Sequence, residues 1–429
     1  MKILVFNAGS SSLKYKLFDA DMVMKAIDRP VLPEGKSLCK GMVENIGTDN
    51  AHFINVNAAG KTFRTVEAKT YDQAMDLVMK ALTELSGAPL EELSEVDAIG
   101  HRVAHGGDAF NCSVVIDRHV IDVIKQYSEL APLHNPYALR VIERCKQLMP
   151  RAMQVAAFDT AFHQTMPRRT YIYPIPYRYY EKYNIRKFGF HGISHKYVSR
   201  RAAEFLGEDL RSLKMITCHL GAGASICAID HGYSMDTSMG YTPLDGIMMN
   251  TRSGSVDPAI ITAIMELEGL APQQMDKEHL SPHEMDRILN RESGFLGISG
   301  TSGDLRDLKE VIRHGDQQAE LAYDIFLFSI RRMIGAYAFE LAGVDAIVVT
   351  AGVGENDAYA RRLIFRGLEP FGIEIDENRN YAKDNVERLI STDRAAVKML
   401  VIPTDEEAEI ARDVELIANG VDLSDPWAY

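Results

Sequence analysis

The chain carries one order of sequence features twice. In the first half, an apolar run over residues 3–6 leads into a tip of small polar residues, 7–12, and an alternating run returns over 13–18. In the second half, residues 215–229 repeat this pattern around the tip 219–225. Each pattern predicts a β-hairpin whose tip is built from small residues.

The match continues after each hairpin. Residues 74–85 have apolar positions at helical spacing, and the short apolar strand 96–99 follows. In the second half, a proline-free segment, 317–341, is predicted as a long, largely buried helix, and residues 344–347 repeat the four letters of 96–99. The matched order predicts an α/β chain with two domains of similar fold and a cleft between them.

Length and composition agree with two domains. The chain has 429 residues, 46% of them hydrophobic, which exceeds the usual size of a single core. We place the first domain at residues 1–150, an interdomain and substrate-loop region at 151–205, and the second domain at 206–429. Domains of this kind often interleave at their ends, so the C-terminal helix could return to the first domain.

The net charge of −13 argues against nucleic acid and anionic membranes as partners. Residues 168–187 interleave six basic residues with six tyrosines, a pattern that can bind single-stranded nucleic acid. In so acidic a chain, we interpret it as internal packing or a subunit contact. The five cysteines form no CxxC pair, and no apolar run has the length of a signal peptide or membrane span. These features predict a cytoplasmic protein.

Three glycine- or serine-rich stretches are candidates for binding phosphate or nucleotide. The first is 7–14, where small residues let the backbone approach an oxyanion and Lys14 adds charge, although the Walker A spacing is absent. An ordinary polar hairpin is the alternative. The second is the tip 219–225, which could grip a polyphosphate from the other side. The third, 350–356, reads as a glycine-rich turn after a strand, where α/β folds bind nucleotides.

Charged residues near glycine-rich loops complete the candidate chemistry. Arg102, Asp159, His191 and Arg252 each could be a satisfied polar residue in a loop, but together they form a set that phosphoryl transfer to an anion requires. The acidic run 405–407 reads either as a solvated helix N-terminus or as a source of magnesium ligands.

These motifs resemble the acetate and propionate kinase family, within the sugar kinase, heat-shock 70 and actin superfamily. The most specific stretches are residues 5–14 and 158–163, and the resemblance covers nearly the whole chain in the right order. It implies a duplicated ribonuclease-H-like, actin-like ATPase fold with a central nucleotide cleft, a homodimer, ATP as co-substrate, and Mg²⁺ or Mn²⁺.

The resemblance also implies roles for individual residues. Those implied at the magnesium and phosphate site are Asn7, Lys14 and Glu406. Those implied for substrate binding are Arg102, Ala104, Leu133, Phe190 and Pro243. Those implied for catalysis are Asp159, His191 and Arg252. Those implied for ATP binding are His219, Gly221, Gly223, Asp304, Leu305, Arg306, Gly352, Gly354, Glu355 and Asn356.

Four positions depart from the family pattern. Ala222, Ser255 and Asp405 stand where the family usually has Asn, Asp and Asn. Ala104 replaces a valine that resembles a wall of the methyl pocket, which opens space for about one more methyl group and favours propionate. One methylene is worth about 1–3 kcal/mol, so acetate is not excluded.

The expected activity is reversible, direct in-line transfer of a phosphoryl group from ATP to acetate or propionate, with the acyl phosphate as product. Two alternatives are a kinase of the same fold for butyrate or another small acceptor, and a non-catalytic ATP-driven switch of the heat-shock 70 type. The set Arg102, Asp159, His191 and Arg252 favours an enzyme, because a switch does not need it.

Overall fold

The computed structural model describes residues 1–20, 37–269, 280–382 and 386–424. The chain divides into two compact units. Unit 1 comprises Met1–Thr165, Phe190–Asp209 and Thr404–Tyr429, and unit 2 comprises Met166–Gly189 and Leu210–Pro403. The predicted boundaries at residues 150 and 205 stay predictions.

The chain contains both strands and helices, often several of one kind in succession. The strands are β1 Lys2–Ala8, β2 Ser12–Asp19, β3 Ser37–Glu44, β4 Ala51–Asn57, β5 Gly60–Val66, β6 Ala98–Val103, β7 Val114–Val115, β8 Met153–Phe158, β9 Lys214–Leu220, β10 Ala224–Asp230, β11 Tyr233–Thr237, β12 Ala346–Thr350, β13 Arg388–Leu389 and β14 Lys398–Val401. The helices are α1 Tyr71–Thr83, α2 Arg118–Gln126, α3 Asn135–Leu148, α4 Arg168–Tyr171, α5 Arg178–Tyr183, α6 Gly192–Leu206, α7 Pro258–Gly269, α8 Pro282–Arg291, α9 Gly294–Ser299, α10 Leu305–Arg313, α11 Gln317–Glu340, α12 Ala351–Asn356, α13 Ala358–Phe365, α14 Glu377–Asn380 and α15 Glu406–Ala418.

Unit 1 contains an eight-stranded sheet in the order β5-β4-β3-β2-β1-β6-β8-β7. β1 is antiparallel to β2 and parallel to β6, which is in turn parallel to β8. The carboxyl ends of β1, β6 and β8 therefore lie at one edge of the sheet. The first predicted hairpin, β1 and β2, is confirmed.

Helices cover both faces of this sheet, which explains the continuous apolar run in β1. Ile3 and Val5 belong to an apolar cluster with α15, whereas Leu4 and Phe6 belong to a separate cluster with α1. All four side chains are at most 1% exposed. Because successive side chains of a strand point to opposite faces, both clusters require apolar residues at neighbouring positions.

Unit 2 contains a six-stranded sheet in the order β11-β10-β9-β12-β14-β13. Here β9 is antiparallel to β10 and parallel to β12, so the arrangement β10-β9-β12 repeats β2-β1-β6. The second predicted hairpin is confirmed, and the duplicated fold with it. In the part of the chain that the structure describes, no helix has the length and apolar character needed to span a membrane.

Several predictions of local structure were incomplete or wrong. The strand predicted at 96–99 runs over Ala98–Val103, so Arg102 lies in a strand and not in a loop. The predicted glycine-rich turn at 350–356 contains the helix α12. The helix predicted at 317–341 exists, but it is not largely buried, since Phe328 and Phe339 are 65% and 90% exposed.

Candidate active site

Three polar residues meet at the carboxyl edge of the first sheet. Asn7 on β1 pairs in register with Arg102 on β6, and Val103 pairs with Phe158 at the end of β8. Asp159 follows Phe158 directly. Strand register alone therefore brings Asn7, Arg102 and Asp159 together, although they are far apart in the sequence.

Arg102 is held in place by two of these neighbours. Its Nε and Nη2 donate to the two carboxylate oxygens of Asp159 at 3.0 and 2.6 Å, and its Nη1 donates to Asn7 Oδ1 at 3.1 Å. Asp159 is only 2% exposed. A guanidinium carries five N–H donors, and three are used here. Two remain, one each on Nη1 and Nη2, which is the arrangement that binds a second carboxylate by two hydrogen bonds.

The first turn of α15 brings more carboxylates to this edge. Asp405 caps the helix by accepting from the Ala408 N–H at 2.9 Å. Glu406 and Glu407 then accept from Asn7 Nδ2 at 3.4 and 3.5 Å. The Glu406 carboxylate also lies 3.6 Å from Arg102 Nε. The predicted helix N-terminus is confirmed, and it points acidic side chains at Asn7 and Arg102.

The pKa values reflect this crowding of charge. Burial raises the pKa of Glu406 to about 7; Arg102 opposes the rise, while Asp159 and Glu407 add to it. Burial alone would lower the pKa of Arg102, but Asp159 and Glu406 raise it above its ordinary value. Carboxylates thus outnumber the arginine at this edge, and a bound cation would stabilise their ionised forms.

The donor set fits magnesium in its usual mode of binding. Among the described residues, no group of three or more His, Cys, Asp or Glu side chains could by itself hold a metal. Mg²⁺ does not need such a cage, because it commonly takes one or two carboxylates and completes its shell with water and phosphate. Glu406 and Glu407, with the Asn7 amide between them, offer that smaller set.

His191 lies at the head of α6 in a strained conformation. Its φ and ψ are 57° and 22°, in the left-handed region that a non-glycine residue rarely adopts. The next N–H, of Gly192, donates to the Asp159 carbonyl at 2.9 Å. A Cβ on Gly192 would overlap that carbonyl oxygen, so only glycine allows this approach. The backbone of His191 is thereby fixed beside that of Asp159.

The residues predicted to line the substrate pocket differ in their exposure and belong to both units. Ala104 and Phe190 are buried in unit 1, where the His105 ring packs edge-on against Phe190 at 5.5 Å. Leu133, also in unit 1, is 41% exposed. Pro243 lies in unit 2, where its carbonyl accepts from Arg252.

The Arg252 guanidinium makes contacts with uncharged groups. Its Nη1 donates to the Pro243 carbonyl at 3.3 Å and lies 3.7 Å from the sulfur of Met249. Burial lowers its pKa. Within the described ranges, no carboxylate pairs with Arg252, so its positive charge is available to an anionic ligand.

The three stretches predicted for ATP all belong to unit 2, and two of them are in contact. Thr350 at the end of β12 pairs in register with His219 on β9. A Cβ on Gly221 would lie 3.6 Å from that of Ala351, so the hairpin tip touches the start of α12. Lys309 of α10 forms an ion pair with Asp357, directly after α12. The residues predicted to bind ATP in these stretches are His219, Gly221, Gly223, Asp304, Leu305, Arg306, Gly352, Gly354, Glu355 and Asn356, and their role stays a prediction.

Two of these residues already have local roles. The Glu355 carboxylate accepts from the Ala351 N–H at 2.7 Å, which caps the short helix α12. Asp304 caps α10 through the Arg306 N–H at 2.8 Å and pairs with the Arg306 guanidinium, whose side chain is 90% exposed. The backbone of each stretch, and the Arg306 side chain, can still contact a nucleotide.

Two residues of the first site were missed by the sequence predictions. Lys16 pairs with Asp405 at 2.5 Å, and Gly192 is required beside Asp159. Glu407, which contacts Asn7, was included only as part of the acidic run 405–407. The period of two in β2 could have indicated Lys16, because it shares a face with Lys14. Within residues 168–187, four basic side chains lie over tyrosine rings, with the Arg186 guanidinium 3.7 Å from the centroid of the Tyr171 ring. Whether the segment also forms a subunit contact stays a prediction.

Comparison with known proteins places the chain in a family. Residues 2–412 match the Acetokinase family. An acetate kinase of Acetivibrio thermocellus is 48% identical over 422 residues, covering 98% of this chain and all of that protein. The crystal structure of Porphyromonas gingivalis acetate kinase superposes with a TM-score of 0.86 at 39% identity, covering 97% of this chain and 99% of that one. A propionate kinase from Francisella tularensis gives 0.84 at 38%, covering 96% and 99%. The chain belongs to the acetokinase family.

Proposed function

We propose that this protein is an ATP-dependent kinase that phosphorylates the carboxylate of acetate or propionate, reversibly, to give the acyl phosphate. The observation that carries the proposal is Arg102, which Asp159 and Asn7 hold rigidly while two of its N–H donors remain for a substrate carboxylate. Family membership and the acetate and propionate kinases among its relatives support the same reaction.

The mechanism needs no general base. Short carboxylic acids titrate near a pKa of roughly 4, so the acceptor is already ionised at neutral pH. The carboxylate oxygen, oriented by Arg102, forms a bond to the γ-phosphorus of ATP while the bond from that phosphorus to the bridging oxygen of ADP breaks. Asp159 keeps Arg102 in place and no proton has to move. His191 and Arg252 are proposed to offset charge on the transferring group.

The remaining roles follow from the donor sets. Asn7 and Glu406, with Glu407, are proposed to hold Mg²⁺ or Mn²⁺, which when bound would neutralise charge on the β- and γ-phosphates. Lys14 and the small residues beside it are proposed to contact phosphate oxygens. The glycine-rich stretches of unit 2 are proposed to bind the nucleotide.

Ala104 makes propionate the proposed preferred acid. It is buried and directly follows the strand that carries Arg102, so a valine there would take up volume beside the acid. Butyrate or another small acceptor remains the alternative substrate, and a non-catalytic ATP switch the alternative class.

One assay separates these possibilities. Acyl phosphate is trapped as the hydroxamate in the presence of Mg·ATP, and kcat/KM is compared for acetate, propionate and butyrate. A preference for propionate that Ala104→Val shifts toward acetate, by about 10- to 200-fold, would support the assignment. If the protein prefers acetate and Ala104→Val leaves that preference unchanged, residues other than Ala104 determine which acid is preferred. No hydroxamate with any acid would overturn the kinase proposal.

We also propose a cytoplasmic homodimer. All five cysteines are free, which suits a reducing compartment. The helix α11 exposes Leu321, Phe328 and Phe339, a row of apolar side chains that a second copy could cover. Light scattering of the purified protein tests the assembly: a monomer at micromolar concentration would contradict it.

A further inference from the structure

The tip of the first hairpin, defined here as residues 9–12, has three of its four carbonyl groups paired, by donors within the tip and elsewhere in unit 1. The Ile46 N–H donates to the Ser11 carbonyl at 2.9 Å, and the Gly9 N–H donates to the Ser12 carbonyl at 2.9 Å. Backbone pairing of this kind fixes which way the peptide groups of a turn face.

The Tyr71 side chain binds the carbonyl groups of Gly9 and Ser12. Tyr71 is the first residue of α1, whose start is fixed by a capping box between Thr70 and Gln73. The Tyr71 hydroxyl donates to the Gly9 carbonyl and lies 2.8 Å from the Ser12 carbonyl. One phenolic proton is thus shared between two carbonyl oxygens. The ring is 5% exposed, and burial raises the pKa of Tyr71, which keeps the hydroxyl protonated and able to donate.

This arrangement gives the tip two unlike sides. The carbonyl oxygens of Gly9, Ser11 and Ser12 accept hydrogen bonds from the protein, while the side chains of Ser10 and Ser11 are exposed. Carbonyl dipoles that turned outward would repel an anion. A turn in which these three carbonyl groups are paired and the Ser10 and Ser11 hydroxyl groups are exposed is better suited to attract one.

We propose that Tyr71 is a positioning residue for phosphoryl transfer: its hydroxyl holds the carbonyl groups of the tip away from the phosphates of ATP. Tyr71 itself touches no substrate in this scheme and acts through the tip. The inference rests on the proposed phosphate-binding role of the hairpin that carries Lys14.

The test is Tyr71→Phe, which removes the hydroxyl and keeps the ring. Tyr137→Phe is a matched control, because that ring packs against Tyr71 with centroids 5.0 Å apart but makes no hydrogen bond to the tip. For Tyr71→Phe we expect kcat/KM for Mg·ATP to fall about 3- to 10-fold, the range of one lost hydrogen bond, mainly through a higher KM for ATP. We expect the KM for the acid and the melting temperature to stay near the values of the unmodified protein, and Tyr137→Phe to match it in every respect.

Unchanged KM and kcat with ATP in Tyr71→Phe would overturn the inference. If the melting temperature falls while these kinetics stay unchanged, the hydroxyl is merely structural. Lys14→Ala separates this failure from failure of the underlying function. If Lys14→Ala loses about 100- to 1000-fold in rate while Tyr71→Phe is normal, only the role of Tyr71 is wrong. If Lys14→Ala is also normal, the hairpin is not a phosphate site and the premise falls.

Discussion

Replacing Arg102 with methionine should harm both the fold and the reaction, and the two effects can be separated. Asp159 is 2% exposed, and its two oxygens are both bonded to Arg102. Removing one partner of a buried ion pair strands the other charge, at a cost of about 3–5 kcal/mol. Loss of a group that holds the reacting carboxylate costs about 100- to 1000-fold in rate. Arg102→Met should therefore lower the urea midpoint markedly and nearly abolish hydroxamate formation.

A second substitution distinguishes stranded charge from other damage. In Arg102→Met combined with Asp159→Asn, the Asp159 carboxylate is no longer stranded, although Glu406 still loses the guanidinium 3.6 Å away, so roughly half of the lost stability should return. Activity should stay lost, because nothing holds the acid. Arg118→Met is the control: its ion pair with Asp122 joins side chains that are 88% and 54% exposed, and its loss should change stability little. A double variant no more stable than Arg102→Met would refute the reasoning, and recovered activity would refute the role of Arg102.

Three further predictions concern other groups. Arg252→Ala should lower kcat about 100-fold or more in the hydroxamate assay while leaving the melting temperature nearly unchanged, since Arg252 has no carboxylate partner among the described residues. Burial lowers the pKa of His101 to about 4 against about 6.5 when unfolded, so the unfolded state binds the extra proton first. The contribution of His101 to stability should be complete above pH 6.5 and fall by about 3 kcal/mol between pH 6.5 and 4. Because burial raises the pKa of Glu406 to about 7, which changes stability in the opposite direction over nearly the same range, the loss is measured as the difference between the unmodified protein and His101→Gln in urea titrations. Glu409→Leu should cost about 1.5–3 kcal/mol in the same titrations, because Arg200 and Lys196 each lose a carboxylate partner while Arg200 keeps Glu204 and Lys196 keeps Asp413.

Each of these predictions can fail clearly. Near-normal turnover of Arg252→Ala would remove Arg252 from the mechanism. An acid transition with the same slope in His101→Gln would mean that other groups bind the protons. A stable Glu409→Leu protein would show that the ion pairs between α6 and α15 contribute little beyond the apolar contacts of α15.

The sequence predicted the elements whose residues are constrained locally. The strand β1 and the helix α1 were found because apolar periodicity reports directly on burial, and Thr70 with Gln73 marks the start of α1. The antiparallel strands β4 and β5 were not predicted. β5 lies at the edge of its sheet and is mostly exposed, so it lacks an apolar pattern.

The candidate site was harder to predict from the sequence, because the register of the strands brings together residues that are far apart along the chain. Nothing local to Asn7 indicates that Arg102 will lie beside it, or that Glu407 will approach the same amide. The sequence suggested the right chemical types, and family resemblance supplied their roles. The helix α12 was mistaken for a turn because glycine disfavours helices, whereas the Glu355 carboxylate caps this one.

The contact between Asn7 and Glu406 joins positions 399 residues apart. Ribosomes add about 5–20 residues per second, so roughly 20–80 s separate the synthesis of Asn7 from that of Glu406. During that interval the first sheet lacks the helix that covers one of its faces, and an apolar surface around Ile3 and Val5 stays open. A nascent chain of this protein is therefore exposed to aggregation through the segment around Ile3 and Val5 until α15 has been made, and chaperones that act during this interval should have the largest effect on its yield.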